Sequence, residues 1–333
     1  MLLPMENRYS RQITLPGFGI ESQAKLQAAK VLIIGCGGLG CPAANQLVRS
    51  GVGLIGLVDE DKVSLSNLHR QSLYTESQVG MPKVEAAKSS LSEVNSHSKL
   101  NTYPVRFGIT NWKEMLSPYD IVLDCTDNFS ARYLINDACV TLGKPLIYGA
   151  ANQLEGQMAV FNVDGSGNLR DVFPEAPEPG TIQNCEVAGV LGPITGLIGN
   201  MMALEAIKLL TGLGEVLTNT LMVVDGGDLS MRRMKYPKRG STISMAMHHG
   251  ISWAEYRNAF GQHQLVDVRS SAERMPGDPG LHVSFPFEAR AIEIIGEKSP
   301  VFYCQTGVRA EKALLYYLNQ GHDVGFFINQ GFI

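Results

Sequence analysis

The sequence has no Cys-x-x-Cys pair: its six cysteines stand singly at Cys36, Cys41, Cys125, Cys139, Cys185 and Cys304. That absence argues against a zinc ribbon and against a thioredoxin-type redox couple. Strong charge is lacking too. A formal net charge of −4 over 333 residues argues against nucleic acid as the main partner. No basic-then-apolar leader stands at the N-terminus, so the expectation is a cytoplasmic protein without disulfides. The uncharged stretch Val187–Leu204 is broken by Gly189, Gly192, Pro193, Gly196, Gly199 and Asn200. It reads as a buried loop leading into a core helix, with no membrane association.

What is present is an alternation of short apolar runs and helical patterns. Val31–Ile34, Leu54–Val58, Ile121–Asp124 and Leu146–Tyr148 read as buried strands, with helices at Cys41–Ser50 and Ser130–Leu142. This is the pattern of an α/β fold with a doubly wound, mostly parallel sheet. Further strands are expected at Gln157–Val163 and Leu221–Val224, with the Pro-rich loop Pro174–Gly180 and a helix near Met201–Leu210 between them. Arg232–His249 has little apolar periodicity and reads as a linker. The expected division is therefore a first domain at 1–235, a linker at 236–249 and a smaller α/β domain at 250–333. In the last, Gln264–Val268 and Val301–Tyr303 read as strands and Ala310–Asn319 as a helix.

Two segments carry the chemistry of the first domain. Gly35-Cys36-Gly37-Gly38-Leu39-Gly40 lies between a strand and a helix, where it permits a tight turn and an anion at the helix N-terminus. The second strand ends at Asp59, whose carboxylate can hold a ribose hydroxyl. An NAD site would look the same to this point, but it leaves Asn67, Arg70 and Gln71 unexplained. Arg70 and Lys83 are two cations suited to phosphates and to charge passing to a leaving group.

Arg8-Tyr9-Ser10-Arg11-Gln12, the glycine loop, the run Asp59 to Gln71, Gly80-Met81-Pro82-Lys83 and Cys125-Thr126-Asp127-Asn128 occur in that order. Together they resemble the MoeB/ThiF family, the bacterial relatives of ubiquitin-activating enzymes, over about residues 6–235. The resemblance implies a Rossmann-like sheet of the ubiquitin-activating type and adenylation of the C-terminal glycine of a ubiquitin-like sulfur carrier of the MoaD or ThiS type. It implies that Gly35, Gly37, Gly38 and Gly40 border the ATP phosphates and that Asp59 holds the ribose. Asn67, Arg70 and Lys83 would contact the triphosphate, with Gln71 beside them, and Asp127 would bind Mg²⁺. Arg11 would reach the partner's site across a homodimer. Cys185 stands where the family places a loop cysteine, which forms a covalent sulfur or acyl link in some members and is structural in others. Many relatives also carry two Cys-x-x-Cys pairs. Here the corresponding segments, Asn168–Pro174 and Met234–Lys238, have no cysteine, so no zinc is expected and hydrophobic packing or Asp171 contacts must take its place.

The segment 250–333 resembles a rhodanese domain through Asp267-Val268-Arg269 and Cys304-Gln305-Thr306-Gly307-Val308-Arg309. This implies a persulfide on Cys304, cradled by backbone N–H groups and a helix N-terminus, with Arg309 adding charge or fixing the loop. The combined expectation is a sulfur-carrier adenylyltransferase fused to a sulfurtransferase. It would be fed by a donor such as a cysteine desulfurase and would serve a molybdopterin or thiamin type of product. Three other readings stay open on the residues alone. They are the same chemistry on a non-carrier substrate, an NAD-dependent oxidoreductase, and a non-catalytic scaffold that docks a carrier.

Overall fold

The computed structural model describes residues 8–174, 189–240, 250–251, 253, 256–261, 263–286, 295, 299–319 and 325–328. The chain divides into two compact units, Met1–Ile243 and Ser244–Ile333.

The first unit is built on an eight-stranded sheet in the order β3-β2-β1-β4-β5-β6-β7-β8. Strands β1 (Lys30–Ile34), β2 (Leu54–Val58), β3 (Lys99–Tyr103), β4 (Ile121–Asp124) and β5 (Leu146–Asn152) pair in parallel. Strands β6 (Glu155–Phe161), β7 (Thr220–Asp225) and β8 (Ser230–Lys235) extend it antiparallel. The central strands are apolar on both faces because helices cover both; Val31 to Ile33 are fully buried. The chain runs one way from β1 to β2 and the other way from β1 to β4. The crevice of a doubly wound sheet opens at that reversal, beyond the carboxyl ends of β1 and β4.

Three elements differ from the sequence reading. Strand β3 escapes it because Leu100 alone in Lys99–Tyr103 is buried. Strand β8 places Arg232–Lys235 inside the sheet rather than in a linker, as an edge strand exposed along nearly its whole length. The helix expected near Met201 begins nine residues earlier in effect, running Gly192–Thr211 with Pro193 in its first turn, where the missing N–H has no helical partner to lose. By length and composition this helix could cross a membrane. Its Ile194, Ile198, Met202, Ala203 and Ala206 instead belong to the core of the unit.

The two segments without cysteine are joined by Asp171, which is 1% exposed. Its carboxylate accepts from the Asn168 backbone N–H at 2.8 Å, from Asn168 Nδ2 at 3.1 Å and from the Arg239 backbone N–H at 2.6 Å. Tyr236 packs on Phe161 beside it, with ring centroids 6.0 Å apart. Asp171 thus ties the segment Asn168–Pro174 to Arg239, just past Met234–Lys238, while Tyr236 packs the latter segment on β6.

The second unit is a five-stranded parallel sheet in the order β11-β10-β12-β13-β9. These are β9 (Gly250–Ile251), β10 (Gln264–Asp267), β11 (Leu281–His282), β12 (Pro300–Tyr303) and β13 (Phe326–Ile328). The helix Val308–Asn319 buries Ala313 and Leu314 in a core with Val266, Phe302 and Cys304.

Candidate active site

The loop after β1 is shaped by two glycines. Gly35 has φ +95°, and a Cβ there would stand 2.7 Å from the Cys125 carbonyl oxygen. At Gly40 a Cβ would stand 2.0 Å from the Gly35 carbonyl oxygen. No side chain fits either place, so the loop is held tight against the end of β4.

Here a cavity of about 400 Å³ opens, and it gathers most of the residues singled out in the sequence: Gly35, Gly37, Gly38 and Asp59 on one side, and Asn67, Arg70, Gln71 and Lys83 on another. Asp127 closes it from the end of β4. Two expected residues are not in its lining. Gly40 lies behind the loop, where its role is the close approach to Gly35. Arg11 is exposed on the short helix Ser10–Ile13 and does not reach this chain's own cavity.

Asp59 is fixed by the loop it serves. Its Oδ2 accepts from the Cys36 backbone N–H at 2.7 Å and its Oδ1 from the Asp61 backbone N–H at 2.9 Å. Burial pushes its carboxyl above the ordinary range, against the pull of Lys83 and of those two N–H groups. Lys83, 5% exposed, places Nζ 2.7 Å from Asp61 Oδ2. Burial works against the ammonium, but Asp59 and Asp61 outweigh it and the pKa is raised. Lys83 therefore keeps its charge inside the cavity.

Arg70 donates from Nη2 to Asn67 Oδ1 at 2.9 Å, and its Nη1 lies 3.4 Å from His69 Nε2. The Asn67 carbonyl is thus engaged in orienting Arg70, which leaves its NH₂ group for a phosphate. Asn128 caps the helix Phe129–Thr141 by accepting from the Ala131 N–H at 2.9 Å. That frees the neighbouring Asp127, which is exposed and accepts no hydrogen bond among the described residues. No cluster of three or more His, Cys, Asp or Glu that could hold a metal occurs among the described residues. A single free carboxylate on a cavity also lined by Arg70 and Lys83 nevertheless fits Mg²⁺, which takes one or two protein carboxylates and fills its shell with phosphate oxygens and water.

The sequence reading missed Asp61, Arg106 and Arg132, which also line the cavity. Arg132, 8% exposed, donates to the Thr126 carbonyl at 2.8 Å and to the Tyr148 hydroxyl at 2.9 Å. It braces the turn that carries Asp127. A helical position four residues after the Asn128 cap was the signal that could have found it.

Cys185 and the rest of residues 175–188 lie outside the described residues. Cys36, Cys41, Cys125 and Cys139 are buried. Burial pushes their thiols up, that of Cys41 to about 12, so they are packing groups and not nucleophiles.

In the second unit Cys304 follows β12 and is fully buried. The Gly307 backbone N–H donates to its Sγ at 3.1 Å, in a turn that leads into the helix Val308–Asn319. Arg309 does not point its charge at the sulfur alone. It grips Glu273 with both arms, Nη1 to Oε2 at 2.6 Å and Nη2 to Oε1 at 2.5 Å. This pairing ties the first turn of the helix Val308–Asn319 to Glu273. Arg269 is buried against Asp267 and Asp278, at 2.8 and 2.7 Å.

The ThiF family model matches residues 9–243. Among curated proteins the chain is similar to the adenylyltransferase and sulfurtransferase MOCS3 of Aedes aegypti, 48% identical over 233 residues, covering 70% of this chain and 53% of that protein. To MOCS3 of Drosophila grimshawi it is 49% identical over 229 residues, covering 68% and 51%. The chain thus spans about half the length of these curated relatives. Two solved structures show the same fold. The ATP complex of Escherichia coli MccB has a TM-score of 0.63 at 24% identity, with 71% of this chain and 74% of that one covered. PaaA has a TM-score of 0.61 at 24% identity, covering 71% and 75%.

Proposed function

This chain belongs to the ThiF family, and from that premise we propose that it adenylates the C-terminal glycine of a ubiquitin-like sulfur carrier and then delivers sulfur to it. The observation that carries the proposal is the convergence of Asp59, Arg70, Lys83 and Asp127 on one cavity beside the glycine loop. A dinucleotide needs the loop and Asp59; it has no use for two inward cations and a free carboxylate.

The chemistry follows from the charges. A carboxylate attacking the α-phosphorus of ATP meets dense negative charge, and pyrophosphate leaves with more. Arg70 offers a forked donor and Lys83 a point charge toward those oxygens. Gly37 and Gly38 of the loop after β1 line the cavity with bare backbone, which lets a phosphate come close. Mg²⁺ held by Asp127 would add screening of the phosphate charge. By resemblance to the family, Arg11 is supplied by the second copy of a homodimer, which accords with its position away from this chain's own cavity.

The acyl adenylate makes AMP the leaving group. We assign the second step to Cys304: a persulfide sulfur, provided by a donor such as a cysteine desulfurase, attacks the activated carbonyl and displaces AMP. A thiol then cleaves the acyl disulfide, leaving a thiocarboxylate on the carrier and oxidised sulfur on the protein. Support for this comes from the Gly307 N–H aimed at Sγ and from the names of the MOCS3 relatives. The test is carrier-dependent ATP–pyrophosphate exchange. Exchange that requires both the carrier and its terminal glycine is expected; NAD binding in place of ATP would contradict the proposal.

A further inference from the structure

Gln71 is 2% exposed and lines the nucleotide cavity, and its amide oxygen Oε1 is buried without a hydrogen-bond partner. Its main chain is anchored: the Gln71 N–H donates to the Asn67 carbonyl at 3.1 Å and its own carbonyl accepts from the Tyr74 N–H at 3.2 Å. The side chain lies along the phosphate loop, with Nε2 3.8 Å from the place a Cβ would take at Gly37. The nearby Thr195 hydroxyl is committed to the Gly192 carbonyl at 2.8 Å and is no donor for it. A buried amide oxygen with no donor is unfavourable in the free protein, and a site built this way discriminates strongly for a ligand that brings the donor.

The chemistry of the ligands narrows what that donor is. Phosphate oxygens only accept. Ribose hydroxyls belong to Asp59, at the end of β2, and the adenine amine lies beyond the ribose, away from the phosphate loop beside which Gln71 sits. Ala151 of β5 and Thr195 line the cavity on that side, beyond the phosphates and away from the ribose. An acyl substrate approaching the α-phosphorus there brings one donor next to its carboxylate, the N–H of its last peptide bond. We infer that Gln71 is a specificity residue that accepts a hydrogen bond from this terminal peptide N–H and so turns the carboxylate toward phosphorus. The inference rests on the adenylation reading above. It defines the substrate as a chain whose last residue carries a peptide N–H, which excludes a terminal proline or N-alkylated residue.

The test is a chemical double-mutant cycle. A carrier ending in Gly-Gly is compared with a semisynthetic one in which the last peptide bond is an ester, with glycolic acid in place of glycine. Both are measured in ATP–pyrophosphate exchange with the full chain and with Gln71→Met. For the unaltered protein the ester is expected to lower kcat/KM about tenfold, and for Gln71→Met the two carriers are expected to agree within about twofold. KM for ATP should be the same with either carrier. An ester that reacts as well as the amide with the unaltered protein overturns the inference whatever the variant does. So does an equal loss in both proteins. In either case the adenylation reading stands, because exchange is seen; exchange with neither carrier overturns that reading and this inference with it.

Discussion

Lys83 Nζ lies 2.7 Å from Asp61 Oδ2, pairing an ammonium that is 6% exposed with a carboxylate that is 64% exposed. The cation is fixed in the cavity while its partner stays in water, so a phosphate can take the partner's place at little cost. Lys83→Ala is expected to lower adenylation by about 10²–10³-fold, the usual effect of deleting one charge stabiliser from a transition state. Asp61→Asn should change it far less, because Asp59 still holds the ammonium charged. Exchange kinetics at saturating carrier would check both, and equal losses would count against the assignment of Lys83 to the phosphates.

Asp59 gives a pH prediction whose sign is set by burial. Its folded pKa is raised above the ordinary carboxylate value, so it takes up a proton at a higher pH than an exposed carboxylate. The ionised form is the better acceptor for ribose hydroxyls, and it is lost as pH falls through the raised pKa. ATP affinity should therefore have an acid limb above the usual carboxylate range. Asp59→Asn should remove the limb and weaken binding about tenfold. For stability the direction is opposite: ionisation of Asp59 costs the folded state, and acidification relieves that cost. Calorimetric ATP titrations across pH would test the first statement and melting temperatures the second.

The fold was legible wherever burial on both faces made a strand continuously apolar. Leu54–Val58 and Ile121–Asp124 are strands from end to end, and the helix Phe129–Thr141 differs from its sequence reading by one residue at each end. Strands β3 and β8 were not legible, since edge strands lose the hydrophobic signal. The cavity lining was legible through clustered polar residues such as Arg70, Gln71 and Asp127, which the fold brings together. Arg132 hid because a buried arginine in a helix looks like any surface cation. Gly40 was assigned to phosphate contact because a loop motif cannot tell a lining glycine from a packing one. For Arg309 the sequence leaves two roles open, charge beside the sulfur or fixing the loop, because its partner Glu273 is 36 residues away in sequence.

Asp171 predicts stability without metal. It accepts three N–H bonds while 1% exposed, and Asp171→Ala would leave the two donors of Asn168 buried and unpaired and release Arg239. The expected loss is about 3 kcal/mol, a fall in melting temperature of roughly 6–12 °C for a unit of this size. Treatment with a chelator should leave the melting temperature of the unaltered protein unchanged. Stoichiometric zinc in the purified protein would contradict this account.

Glu273 and Arg309 make a prediction for the second unit. Arg309, then Ser270, holds the Glu273 carboxyl well below its ordinary range. The pair is complete above the usual glutamate pKa and is lost only as pH falls through the depressed value, so it should be unchanged across neutral pH. Glu273→Gln would weaken the grip on Arg309 and loosen the Cys304 loop. Sulfur transfer should fall about three- to tenfold, while ATP–pyrophosphate exchange stays as it is. A parallel fall in both activities would contradict the division of labour between the cavity and Cys304.

The most direct test of the central claim is to follow both half-reactions in one sample, with carrier, ATP and a persulfide donor. Pyrophosphate exchange and carrier thiocarboxylate, read by mass spectrometry, would be compared for the unaltered protein, Lys83→Ala and Cys304→Ala. The unaltered protein is expected to give both and Lys83→Ala neither. Cys304→Ala should exchange at the normal rate with no thiocarboxylate. Normal thiocarboxylate formation by Cys304→Ala, or the absence of carrier-dependent exchange from the unaltered protein, would contradict it.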